Sequence, residues 1–179
     1  MTTFTLNSND YLFKSIITVL IVADAETDRV TYRHYLQSDQ SHVYRFLEAA
    51  TLKEGLALWR SQSPDIILVD DACPDGGDDL EILQAMKADN LMGRLGMIVI
   101  TGRGNDDLLV QLMRLGVADY LVKSTLTDVD LCTCVGQVYD RIKITRQLRR
   151  SQDQEQLIDQ ISFKIQQYLD LDLEDWSLD

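Results

Sequence analysis

Four side chains in this sequence each follow a short apolar run, and together they could move a phosphoryl group. Asp24 comes after Ile16–Val22, Asp70 after Ile66–Val69, Thr101 after Met97–Ile100 and Lys123 after Ala118–Val122. Two carboxylates held close together repel unless a cation neutralises them, so a hard divalent ion is expected. Magnesium suits such a site because it keeps several waters and takes phosphate oxygens as further ligands. Thr101 can donate a hydrogen bond, and Lys123 can set a point charge against a phosphoryl oxygen. Phosphoryl transfer needs little beyond such positioning and charge stabilisation. An aspartate can also be the nucleophile and form an acyl phosphate. Taken singly, each of these residues reads more simply as the start of a polar loop.

The elements that must carry them can be read from periodicity. Ile66–Val69 is four aliphatic residues without alternation, the mark of a strand buried on both faces of a parallel sheet. Ile16–Val22, broken only by Thr18, reads as the first strand; Tyr44–Ala49, Met97–Ile100 and Ala118–Val122 read as three more. Helices fall between them. The first starts at Thr27, with Val30, Arg33, His34 and Leu36 at helical spacing. The second opens on Thr51-Leu52-Lys53-Glu54, a capping box, and turns Leu52, Leu56 and Trp59 inward. Leu80, Leu83 and Met86 mark a third. A fourth runs from Asn105 as N-cap to Gly116 as C-terminal glycine. The last is capped by Thr127-x-x-Asp130 and passes Arg141. Five strands alternating with five helices predict a doubly wound (βα)5 flavodoxin-like α/β sandwich with a five-stranded parallel sheet. Right-handed crossovers then bring all the strand carboxyl ends to one edge, where open α/β sheets bind their ligands.

Composition narrows the function classes. The chain has 179 residues, 45% of them hydrophobic, with two prolines, enough for one ordinary domain and an extra segment. No apolar run is long enough for a membrane span, and Met1–Lys14 lacks the pattern of a secretory signal. The three cysteines, Cys73, Cys132 and Cys134, suit a reducing cytoplasm and neither a disulfide framework nor a zinc site. A formal net charge of −12 opposes binding to nucleic acid or to an anionic membrane.

With these residues in their order, residues 17–145 resemble the receiver domains of bacterial two-component response regulators. Leu20-Ile21-Val22-Ala23-Asp24 resembles the family's acidic motif. Pro64-Asp65-Ile66-Ile67-Leu68-Val69-Asp70, with Pro74 beyond it, resembles the phosphoacceptor motif. Thr101-Gly102 resembles the switch threonine, and Tyr120-Leu121-Val122-Lys123 the aromatic-plus-lysine motif. The resemblance implies that Asp70 accepts a phosphoryl group from the phosphohistidine of a sensor histidine kinase or phosphotransfer domain. It implies Mg2+ on Asp24, Asp70 and the backbone carbonyl of Ala72. Lys123 and Thr101 would contact the phosphoryl oxygens, and Tyr120 would change rotamer on activation. The resemblance implies a phosphoacceptor rather than a conventional enzyme, within a parent protein that would be a histidine kinase.

Two departures stand out. Ala23 occupies the place of the first of two acids, which implies weaker magnesium binding. Ser124 follows Lys123 where the family has proline after a cis bond, and a non-proline cis bond costs about 2.5–4 kcal/mol. A phosphorylation-independent pseudo-receiver that docks partners is therefore the alternative reading. A small-molecule enzyme is weaker still, for want of a Gly-rich phosphate loop or a His-based nucleophile system.

The boundaries expected are a lead-in over 1–15, the receiver over 16–147 and a helical linker over 148–179. Arg141–Arg150 is basic, the glutamine-rich stretch to Gln160 lacks glycine and proline, and Ile158, Ile161, Ile165 and Tyr168 recur at three- and four-residue steps. That seam resembles a short coiled coil and suggests a homodimer; a helix docked on its own domain is the alternative. Tyr168–Trp176 resembles the entry helix of a GAF sensory domain, as follows the N-terminal receiver of hybrid sensor kinases.

Overall fold

The computed structural model describes residues 15–70, 96–102, 110, 113–114 and 116–175, and over 168–175 the backbone alone. Five strands are present: β1 (Ile16–Val22), β2 (Val43–Ala49), β3 (Ile66–Asp70), β4 (Gly96–Thr101) and β5 (Asp119–Val122). All four pairings are parallel, in the order β2-β1-β3-β4-β5. Three helices have both ends among the described residues: α1 (Glu26–Gln37), α2 (Leu52–Gln62) and α3 (Asp128–Asp175). The expected third helix at Leu80–Met86, the start of the fourth at Asn105 and the Ala72 carbonyl lie outside the described residues.

The lack of alternation in the strands has a direct cause. Successive strand side chains point to opposite faces, and both faces here are covered. Ile17, Val19, Ile21, Ile66, Leu68, Ile98 and Ile100 enter one core with Tyr32 and Leu36 of α1 and Leu131, Val135 and Val138 of α3. Leu20, Val22, Ile67, Val69, Met97 and Val99 enter the other with Leu52, Leu56 and Trp59 of α2. Asp65 fixes the entry to β3: its Oδ2 accepts the Thr18 amide at 3.1 Å, and its own amide donates to the Thr18 carbonyl at 2.8 Å. Gly96 lets α3 approach β4, since a Cβ there would run into Ile66, Val138 and Ile142.

The caps follow the sequence with one change. The Thr51 hydroxyl accepts the Glu54 amide at 3.2 Å, but the Glu54 carboxylate reaches the amide of Ala50 at 3.1 Å, one residue before the N-cap. Thr127 and Asp130 make the reciprocal pair as expected. Gly116 has φ 93°, the left-handed conformation that ends a helix. On α1 the inward residues are Tyr32 and Leu36, whereas Val30 is 42% exposed. The chain divides into two compact units, Met1–Ile142 and Lys143–Asp179. No helix among the described residues is long and apolar enough to cross a membrane.

Candidate functional site

The strand register brings the expected residues to one edge. Val22 pairs with Val69, Asp70 with Ile100 and Thr101 with Val122. Asp24 thus follows the end of β1, Asp70 ends β3, Thr101 ends β4 and Lys123 follows β5 in a short 3-10 turn, Lys123–Thr125. Asp70 and Thr101 are the two buried polar residues of the described core.

The Asp70 carboxylate is buried with two donors on one oxygen. Lys123 Nζ lies 2.8 Å from Asp70 Oδ2, and the Tyr32 hydroxyl donates to the same oxygen at 2.7 Å. Lys123 also pairs with Asp28 Oδ2 at 2.7 Å. Asp28 and Tyr32 are four residues apart on α1, so they share a face, and each engages one member of the Asp70–Lys123 pair. Partial burial pulls the Lys123 ammonium down. Hydrogen bonds and charge from Asp28 and Asp70 outweigh that and hold its pKa above the ordinary lysine value.

Asp24 is exposed, and its Oδ1 accepts the Ala25 amide at 2.7 Å. The loop that carries it is held by Arg29, whose guanidinium donates to the carbonyls of Ala23 and Asp24 at 2.5 and 2.9 Å. Glu48, 3.6 Å from Arg29 and 2.7 Å from Arg33, fixes that arm in turn. Tyr120 lies in β5, 36% exposed. The Lys123–Ser124 bond is trans, as no cis peptide occurs among the described residues.

Asp24 and Asp70 supply oxygen donors on the ends of neighbouring strands, a set whose chemistry fits a hard cation that keeps most of its waters. Among the described residues no group of three or more His, Cys, Asp or Glu is arranged to hold a metal ion. Asp28, Arg29 and Tyr32 were not legible as site residues from motif spacing. The available signal was the four-residue step from an acid to a tyrosine in the helix after Asp24.

Comparison with known proteins agrees with this geometry. A family model described as the response regulator receiver domain matches residues 19–135. The phosphate regulon transcriptional regulatory protein PhoB of Pseudomonas aeruginosa is 31% identical over 80 residues, covering 45% of this chain and 34% of that protein. The KDP operon transcriptional regulatory protein KdpE of Escherichia coli is 31% identical over 105 residues, covering 59% and 44%. The chain thus spans less than half the length of these two relatives. The crystal structure of a CheY-like response regulator receiver domain protein from Methanospirillum hungatei aligns with TM-score 0.62 and 25% identity, over 73% of this chain and 99% of that one.

Proposed function

The chain belongs to the response regulator receiver domain family, a module of phosphorylation-based signalling, and we propose that Asp70 is its phosphoacceptor. The observation that carries this reading is the buried Asp70 carboxylate at the end of β3, with Lys123 Nζ 2.8 Å away. In the proposed reaction a carboxylate oxygen of Asp70 attacks phosphorus, and the bond from phosphorus to the donor breaks with its electron pair on the donor. The donor in the cell is the phosphohistidine of a sensor histidine kinase or phosphotransfer domain, as the family implies.

Lys123 neutralises charge that develops on the phosphoryl oxygens, and Thr101, at the adjoining strand end, donates a hydrogen bond to them. Asp24, Asp70 and the Ala72 carbonyl would hold Mg2+, which supplies positive charge to the phosphoryl oxygens. With alanine at position 23 these residues would hold the ion more weakly than a site with a second acid there. Phosphorylation then alters the surface of β5 and the first turns of α3, where Tyr120, Leu126 and Cys134 line an open groove, with Tyr120 as the switch aromatic.

Incubation with acetyl phosphate and magnesium tests the assignment: the protein becomes labelled and Asp70→Asn does not. If the wild type takes no label and gives no response to beryllofluoride, the phosphoacceptor reading fails. The second reading, a pseudo-receiver that acts by docking alone, is favoured by one observation, the buried alanine at position 23.

The domain limits proposed are 16–147 for the receiver and 148–179 for a helical linker, whose last residues, Tyr168–Trp176, resemble the start of a GAF-type domain. Ile158, Ile161 and Ile165 are each at least half exposed on α3, which supports a homodimer through that helix. Light scattering of the chain against an Ile158→Lys, Ile161→Lys variant tests it. A cytoplasmic location fits the free cysteines.

A further inference from the structure

The core position on α1 nearest the site carries a tyrosine that is 2% exposed and whose hydroxyl ends 2.7 Å from Asp70 Oδ2. An aliphatic residue would satisfy the packing, as Leu36 does one turn later. The hydroxyl therefore has a consequence for Asp70 rather than for the core. Resting on the phosphoacceptor reading above, we propose that Tyr32 is a positioning residue that shortens the life of the Asp70 acyl phosphate.

The argument follows the charge on the carboxylate. The free carboxylate is a full anion, and a hydrogen bond to it is among the stronger ones. In the acyl phosphate one oxygen is bonded to phosphorus and the other is a neutral carbonyl oxygen, a weaker acceptor. Tyr32 thus stabilises free Asp70 more than phosphorylated Asp70. In hydrolysis, water attacks phosphorus and the bond between phosphorus and the Asp70 oxygen breaks. The electron pair returns to the carboxylate, and both water protons leave with inorganic phosphate as dihydrogen phosphate. The transition state is loose, so the departing carboxylate has recovered most of its charge, and Tyr32 assists its departure. In the forward transfer the attacking carboxylate still holds most of its charge at the loose transition state, so the hydroxyl is nearly neutral there. One residue therefore acts on decay and scarcely on formation.

The test uses the full chain with acetyl phosphate and magnesium, comparing wild type, Tyr32→Phe and Tyr35→Phe, each with a melting curve. Removal of the donor hydroxyl is expected to lengthen the acyl phosphate half-life about fivefold while formation changes by less than about twofold. Tyr35→Phe, on the same helix, leaves both rates as they are. A Tyr32→Phe half-life equal to or shorter than wild type, with the wild type labelled, overturns the inference and leaves Asp70 as phosphoacceptor. A simple packing defect is excluded by the same data, since it would lower the melting temperature and formation together. If no variant takes label, the phosphoacceptor reading fails and this inference with it.

Discussion

Lys123 divides its charge between two carboxylates, lying 2.7 Å from Asp28 Oδ2 and 2.8 Å from Asp70 Oδ2. The two partners are not equivalent. The Asp70 side chain is fully buried, while that of Asp28 is 23% exposed. Loss of the lysine would leave Asp70 as a buried anion with its tyrosine hydrogen bond but without this cation. Lys123→Met is expected to cost about 2 kcal/mol and to abolish labelling by acetyl phosphate. Asp28→Asn, at a more solvated pair, should cost less than about 1 kcal/mol and keep the labelling. Urea denaturation and the labelling assay check the contrast.

Ala23 follows Val22, which pairs with Val69, so the next step along both strands sets Ala23 beside Asp70. A second acid at this position would add a cation ligand. It would also add like charge beside Asp70 when no ion is bound. Ala23→Asp is therefore expected to tighten magnesium about tenfold and to lower stability in the presence of a chelator. Calorimetric titration of magnesium and a melting curve with and without the ion test both halves. Unchanged magnesium affinity would show that position 23 does not limit the site.

Much of this site could be read from residue order alone. Asp70, Thr101 and Lys123 each end an apolar run, and a parallel sheet covered on both faces makes such runs continuous and easy to find. The helix that completes the site was harder. Val30 has the right spacing for an inward residue yet is exposed, whereas Tyr32 and Leu36 face the core. A tyrosine at a core position looks like ordinary packing until β1 and β3 are known to be neighbours, because only then does α1 come over Asp70. The Lys123–Ser124 bond was equally undecidable, since the cost of a cis bond can be met by surrounding contacts that a sequence does not reveal. Glu54 reached Ala50 rather than Thr51 because side-chain direction at a cap depends on the incoming loop.

Close packing of α3 on the sheet depends on one missing side chain. A Cβ at Gly96 would meet the side chains of Ile66, Val138 and Ile142, and all three belong to the core on that face. Gly96→Ala should destabilise the receiver by about 2 kcal/mol through overpacking. Gly96→Ala combined with Val138→Ala should recover part of that loss, because the new methyl gains room. Denaturant midpoints of the single and double variants measure the coupling.

Alkaline pH should weaken the fold, and the sign follows from four groups, Cys132, Cys134, Tyr44 and Lys123. Burial and the neighbouring Asp119 push the Cys134 thiol up to about 12. Burial and Asp39 raise the Tyr44 phenol, and Lys123 is held above the usual lysine value against the effect of its own burial. Each group binds its proton more tightly folded than unfolded. The folded state therefore carries the extra proton at high pH, and the stability these groups contribute is complete below their unfolded pKa values. For Cys134 the loss begins as pH rises past roughly 8.5, the value of a free thiol, and continues to about 12. Tyr44 and Lys123 add to it from about pH 10 upward. Burial raises the Cys132 thiol as well, so Cys134→Ala removes one of two early contributions, and the variant should lose stability less steeply than wild type between about pH 8.5 and 10. Urea midpoints across that interval test the slope; parallel curves for the two proteins would assign the alkaline loss to groups other than Cys134.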